Sequence, residues 1–241
     1  MDRRTAAAPT RPSKAASLEM AEPDDFSFGE VLADGFRTWL SQLPAFAGVA
    51  LLLRAPLLFF AFLPPLPRPL LVTAFVVAEL TVALLVQAAL VKAVIDAQRQ
   101  LPTEFAEYLL TLRSAPAVLA LGARIAAHAA MKALLLVVPG LAYLCATFAA
   151  VPAMIVEGGS AEQALRRSQQ LTQGVRVEIF GICLVIWSLA GALILSSGVF
   201  GAARLSTAWM LVYLCARALD SSLAAVLTAI TYHHLCARPE P

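Results

Sequence analysis

Residues 70–95 read LLVTAFVVAELTVALLVQAALVKAVI, and this run decides the fold. As a helix it would extend roughly 39 Å, more than the roughly 30 Å of hydrocarbon in a bilayer. Its strongly polar members are Glu79, Gln87 and Lys92, and Lys92 lies close enough to the end for its ammonium to reach the interface. The rest of the chain has the same character. Hydrophobic residues make up 60% and charged residues 14%, with a mean hydropathy of +0.77, whereas soluble domains have about 45–50% and about 25%. A soluble domain of this length has no interior able to bury so much apolar surface. The sequence predicts an all-α, polytopic membrane helix bundle of about six transmembrane helices plus short cytoplasmic amphipathic helices.

Towards the N-terminus, Pro64, Pro65, Pro67 and Pro69 cannot continue a helix and mark an external loop. Residues 45–63 form the first span, interrupted by Arg54 and Pro56. Before it, Ser27 and Glu30 make a capping-box pattern, and Phe28, Val31, Leu32, Phe36, Trp39 and Leu40 repeat at helical spacing, as in a helix lying on a membrane surface. Residues 1–25 are rich in Ala, Pro and charge, with no signal-peptide core after Arg3 and Arg4, and read as a disordered cytoplasmic tail.

Towards the C-terminus, residues 96–114 read as a second surface helix. Residues 117–138 and 141–156 give a third and a fourth span around an external turn at Pro139-Gly140. In the competing reading only residues 133–156 cross and the Arg124 segment is interfacial. Ser160 and Gln163 form a second capping box, opening a short helix that Gly174 ends. Residues 179–200 and 208–232 are the fifth and sixth spans, so a six-span membrane domain covers 26–235 and a cytoplasmic tail 236–241. A surface helix feeding a pair of spans thus recurs three times, at irregular spacing. Basic residues favour the cytoplasmic side of span ends. Six spans leave Arg68 and Arg204 outside and put Arg99, Arg113, Arg166, Arg167, Arg176 and Arg238 inside with the N-terminal cations. Five spans would move Arg166, Arg167 and Arg176 outside and remove most of the bias, so six is preferred, with both termini cytoplasmic in a bacterial inner membrane.

The run Val138-Pro139-Gly140, Pro152, Glu157-Gly158, Ala164-Leu165-Arg166-Arg167-Ser168, Leu171-Thr172 and Gly174 resembles a signature of bacterial multi-pass membrane proteins. These are related to the membrane domain of glycerophosphoryl diester phosphodiesterases and to several uncharacterised membrane families. The resemblance extends from Phe28-Gly29-Glu30 to the C-terminal tail, and its specific part is Pro139 to Gly174. It implies six helices and an inner-membrane location. In those phosphodiesterases the chemistry belongs to a separate soluble barrel, for which this chain has no room, so hydrolase activity is not implied.

Two sets of residues are candidates for function. Ionisable groups at membrane depth are expensive and usually face protein, water or one another. Here they are Arg54, Glu79, Arg124, His128, Lys132, Arg217 and Asp220. Arg124, His128 and Lys132 follow at four-residue steps along one stripe, expected to face Glu79, Asp220 or a wet cavity, while Arg217 and Asp220 pair one turn apart. The second set is Pro139, Gly140, Glu157, Arg166, Arg167 and Ser168, where Arg166 and Arg167 suit anionic lipid headgroups.

Either set serves packing equally well: ion pairs can fix a bundle, and a capped connector needs the same residues. His233, His234 and Cys236 lack a second ligand cluster for a metal, the four cysteines read as buried hydrophobes, and no cofactor is called for. Zinc-protease, serine-hydrolase, P-loop and dinucleotide motifs are absent from the sequence, so a non-enzyme is expected. A net charge of +2 without basic clusters excludes nucleic acid. The partners expected are the lipid bilayer and, for an accessory, scaffolding or regulatory role, other proteins or a second copy. The alternative is a transporter, channel or flippase-like carrier for anionic small molecules or headgroups.

Overall fold

The computed structural model describes residues 26–62, 67–98, 112–200 and 207–238. Among them the chain is helical throughout, without a strand. The helices are α1 (Phe28–Ser41), α2 (Leu43–Arg54), α3 (Arg68–Gln98), α4 (Ala115–Leu135), α5 (Val137–Ala146), α6 (Ala150–Glu157), α7 (Ala161–Leu171), α8 (Arg176–Phe200) and α9 (Thr207–Ala237). Six stretches are long and apolar enough to cross a membrane, namely Leu43–Phe60, Pro69–Gln98, Ala115–Leu135, Val137–Glu157, Arg176–Leu193 and Met210–Ala237. This supports a multi-pass membrane protein with the helix-bundle fold read from the sequence. The expected second surface helix and the N-terminal tail fall mainly or wholly outside the described residues.

Three prolines explain where the helices break. A proline lacks the N–H that would bond the carbonyl four residues earlier, and its ring clashes with that carbonyl, so a helix yields upstream of it. Pro56 would face Leu52. The Leu52 carbonyl is instead taken by the Ala55 N–H, and the α-helix tightens into 3₁₀ turns over Ala55–Phe62. Pro152 would face Phe148, and the fourth span breaks into α5 and α6 at residues 147–149. Pro139 would face Leu135, and the chain turns at Leu136, which is extended (φ −163°, ψ 138°).

The turn between the third and fourth spans is therefore at Leu136, not at Pro139-Gly140, and the fourth span is two half-helices rather than one run over 141–156. Pro139 sits in the first turn of α5, where a missing N–H costs nothing. Gly140 is buried against α4, its Cα so close to Ala133 that an added Cβ would lie 2.9 Å from the Ala133 Cβ and 3.1 Å from its backbone nitrogen.

The last helix is the centre of the bundle: α9 packs on α1, α2, α3 and α8. A second, smaller core joins α3, α4, α6 and α7 through Ala88, Val118, Leu121, Ala150, Met154 and Ala164. With lipid outside, close packing of small side chains such as these alanines supplies much of the cohesion. One end of the bundle gathers several chain segments: Gln98 donates to Thr38 (3.0 Å), His234 meets Asp34 (3.4 Å) and the Tyr232 hydroxyl donates to Glu157 (2.8 Å). The middle and last turn of α1 and the ends of α3, α6 and α9 thus lie together, as an even number of crossings requires. Helix α1 was expected to lie on the membrane surface. Its Val31 and Gly35 are buried, and it packs on α8 and α9, with Phe36 and Leu40 left exposed.

Candidate functional site

The intramembrane charges separate into two groups. The first is a closed network inside the bundle. Arg54, fully buried at the end of α2, donates to Glu79 on α3 at 2.6 Å and to Ser221 on α9 at 3.3 Å. Arg217 on α9 donates to the same Glu79 oxygen at 2.7 Å and also bonds Asp220 on its own helix, the pairing its spacing predicts. Two guanidinium groups thus meet two carboxylates, and the cluster is formally neutral. Arg54 Nη2, Glu79 Oε2 and Asp220 Oδ1 are buried without a hydrogen-bond partner. Towards the starts of α3 and α9, Phe60, Phe75 and Tyr213 form an aromatic layer, with ring centroids 5.4 and 6.0 Å apart.

The second group is the stripe on α4, and here the expectation needs correction. Glu79 and Asp220 are occupied by Arg54 and Arg217, so Arg124, His128 and Lys132 face neither. The cause is angular. Helix α4 meets α3 where Gly122 lies against Leu84, and Leu84 is five residues from Glu79, or about 140° around the helix. The stripe looks outward beside Tyr143 of α5. The His128 ring stacks on Tyr143 with centroids 6.0 Å apart, and Lys132 Nζ lies 3.9 Å from the centre of the same ring, a cation–π contact. His128 Nδ1 is 2.8 Å from the Arg124 carbonyl, which can only accept, so Nδ1 carries the proton. Arg124 itself is exposed and has no hydrogen-bond or ion-pair partner among the described residues.

The motif residues also divide. Pro139 and Gly140 lie at the α4–α5 turn, whereas Glu157, Arg166, Arg167 and Ser168 lie at the opposite end of the fourth span. Glu157 accepts from Tyr232 and pairs with Arg167 at 3.1 Å, tying the connector to α9, while Arg166 pairs with Glu162 at 2.5 Å on the exposed face of α7. The predicted capping box is present: the Gln163 N–H donates to the Ser160 hydroxyl at 3.3 Å and the Ser160 N–H to the Gln163 side chain at 2.8 Å. Gly174 has the left-handed φ of +82° expected of a helix terminator.

Ser168 repairs the broken fourth span. The Ala150 N–H bonds Thr147 instead of Ala146, and the freed Ala146 carbonyl accepts from the Ser168 hydroxyl at 2.9 Å, with Thr172 at 3.4 Å. A buried carbonyl left bare would cost about 1–3 kcal/mol.

Sequence reasoning missed Ser221, Tyr143, Tyr232 and the bond from Trp39 Nε1 to Ser222 (2.9 Å). Polar tips on otherwise apolar spans were the available signal, since each must find a partner in lipid. Among the described residues no group of three or more His, Cys, Asp or Glu side chains is placed to hold a metal; His234 pairs with Asp34. Comparison with protein-family models, with curated proteins and with solved structures found no match.

Proposed function

We propose that the protein is a non-enzymatic, multi-pass component of a bacterial inner membrane that acts by interaction, as an accessory, scaffolding or regulatory subunit. The observation that carries this reading is the allocation of charge. A carrier for anions needs basic groups along an internal path. Here Arg54 and Arg217 are closed onto Glu79 and Asp220 inside the bundle, while Arg124 and His128 of α4 are exposed on its outside and Lys132 is half-buried against Tyr143. An outward basic stripe is a surface for recognition. Kinship with the membrane domain of glycerophosphoryl diester phosphodiesterases, on the residues from Pro139 to Gly174, is part of the proposal, as is contact of Arg166 with anionic headgroups.

The discontinuous fourth span is the feature that favours the rival reading, because transporters bind substrate at broken helices. Reconstituted into phosphatidylcholine vesicles, the protein is expected to leave uptake of labelled glycerol phosphate and sulfate, and flipping of fluorescent phosphatidylglycerol, at the rate of protein-free vesicles. A faster rate that disappears in Arg124→Ala or Lys132→Ala would replace this proposal with a carrier.

Orientation follows from the same end of the bundle. Arg37, Arg113, Arg166, Arg167 and Arg176 flank spans at the end that holds the last turn of α1 and the end of α9, which supports a cytoplasmic location for both termini. In a cysteine-free background, an impermeant maleimide added to intact cells is expected to label Arg68→Cys and to reach Arg166→Cys only after lysis. Labelling of Arg166→Cys in intact cells would reverse the orientation.

A further inference from the structure

We propose that the outward face of α4 docks a transmembrane helix of a partner protein, one that carries carboxylates at four-residue steps opposite Arg124, His128 and Lys132. The inference rests on the accessory reading above and names the partner's chemistry.

Depth is the first argument. Arg124 is nine residues from the start of α4 and eleven from its end, so roughly 14 and 17 Å separate it from either end of the span. A guanidinium cannot reach water over that distance, and an exposed cation in hydrocarbon is costly, which is why such groups pair. Lys132, three residues from the end, leans on Tyr143; the Arg124 side chain has no hydrogen-bond or ion-pair partner among the described residues and interacts with Tyr143 only through space. The second argument is shape. Ala117, Ala120 and Ala127 are exposed on the same side of the helix as Arg124, and small residues let a second helix approach closely. A row at four-residue steps is also the ridge along which helices commonly interdigitate.

Charge decides the occupant. A second copy is a poor match, because among the described residues the mid-span carboxylates are Glu79 and Asp220, both buried and paired. A lipid phosphate is a poor match as well, since it lies at the interface, well above Arg124. A carboxylate on a neighbouring helix reaches the right depth and binds a guanidinium with two parallel hydrogen bonds.

The probe is a labelled Leu/Ala transmembrane peptide with two mid-length Glu residues four apart, compared with its Gln counterpart, against the full-length protein in phosphatidylcholine nanodiscs at pH 8. Energy transfer should report at least tenfold tighter binding of the Glu peptide. The pair Arg124→Gln and Lys132→Gln, which is neutral and should insert readily, should abolish the difference. Arg124→Glu with Lys132→Glu, where it inserts, should transfer the preference to a Lys-bearing peptide.

Equal binding of the Glu and Gln peptides overturns the proposal. So does a dimer that Arg124→Ala dissociates, which would make the occupant a second copy. Phosphatidylglycerol retained by the wild type and lost from Arg124→Gln, without peptide discrimination, would make it a lipid. Each of these outcomes removes the docking site alone; the vesicle uptake assay is what tests the accessory reading beneath it.

Discussion

In detergent, Glu79→Ala is expected to unfold with a loss of about 3–5 kcal/mol, the range for removing one partner of a buried ion pair, and to accumulate poorly in membranes. The Glu79 carboxylate is the acceptor shared by Arg54 on α2 and Arg217 on α9, at 2.6 and 2.7 Å. Without it Arg54 keeps the Ser221 hydroxyl, and Arg217 keeps Asp220 and the Tyr213 hydroxyl. Two positive charges would then face each other across an apolar interior with a single counter-ion. The complementary experiment replaces all four charges by apolar residues of similar size, as Arg54→Met, Glu79→Leu, Arg217→Met and Asp220→Leu. A closed buried network of this kind can be exchanged for well-packed hydrophobes at little cost, so this variant should recover most of the stability that Glu79→Ala loses. Thermal unfolding followed by tryptophan fluorescence measures both. Wild-type unfolding of Glu79→Ala would show that the cluster does not hold the bundle together.

Gly140→Val is the second large effect. An added Cβ would meet the Ala133 Cβ at 2.9 Å, its Cα at 3.0 Å and its nitrogen at 3.1 Å. Backbone atoms cannot swing aside as a side-chain tip does, so α4 and α5 must separate. Overpacking of this kind costs about 1–3 kcal/mol, and the loss falls on the contact that seats Tyr143 against His128 and Lys132. Gly48→Ala is the control. Nothing lies within 4 Å of its added Cβ, and an exposed or open helical glycine exchanged for alanine should be neutral or slightly stabilising. Limited proteolysis and thermal unfolding of the two variants should therefore move in different directions. Equal behaviour would mean that the α4–α5 approach is looser than described.

How much of this the sequence disclosed depends on what each residue type makes visible. Long apolar runs announced the spans, because hydrocarbon admits little else. Ser160 with Gln163, and Gly174, announced the bounds of α7, because capping chemistry is local. Pro56 and Pro152 marked interrupted helices, yet the break lies upstream of each ring, which is why Pro139 misplaced a turn by three residues. Arg54, Glu79, Arg217 and Asp220 were recognisable as a set of costly charges.

What the chain could not reveal was which neighbour each charge meets. Periodicity gives an angle around one helix and says nothing of which helix lies at that angle, so Arg124, His128 and Lys132, expected to face Glu79, Asp220 or a wet cavity, meet neither carboxylate. Ser168 was visible as part of a short helix and of a family resemblance, without a partner. Its bond to the Ala146 carbonyl spans 22 positions and joins two elements, a relation no local pattern encodes.

The arrangement of the four buried charges also bears on biogenesis. Arg54 and Glu79 sit on consecutive spans, so they can leave the translocon together as a hairpin of zero net charge. Arg217 and Asp220 sit one turn apart on the last helix, which can enter lipid as its own zwitterion. Neither insertion step carries a lone ion across the bilayer, although the two pairs are separated by more than half the polypeptide. Their merger is then a lateral event between preassembled parcels, and it must await synthesis of the final helix, so a nascent chain halted before residue 207 would hold the first parcel without the second.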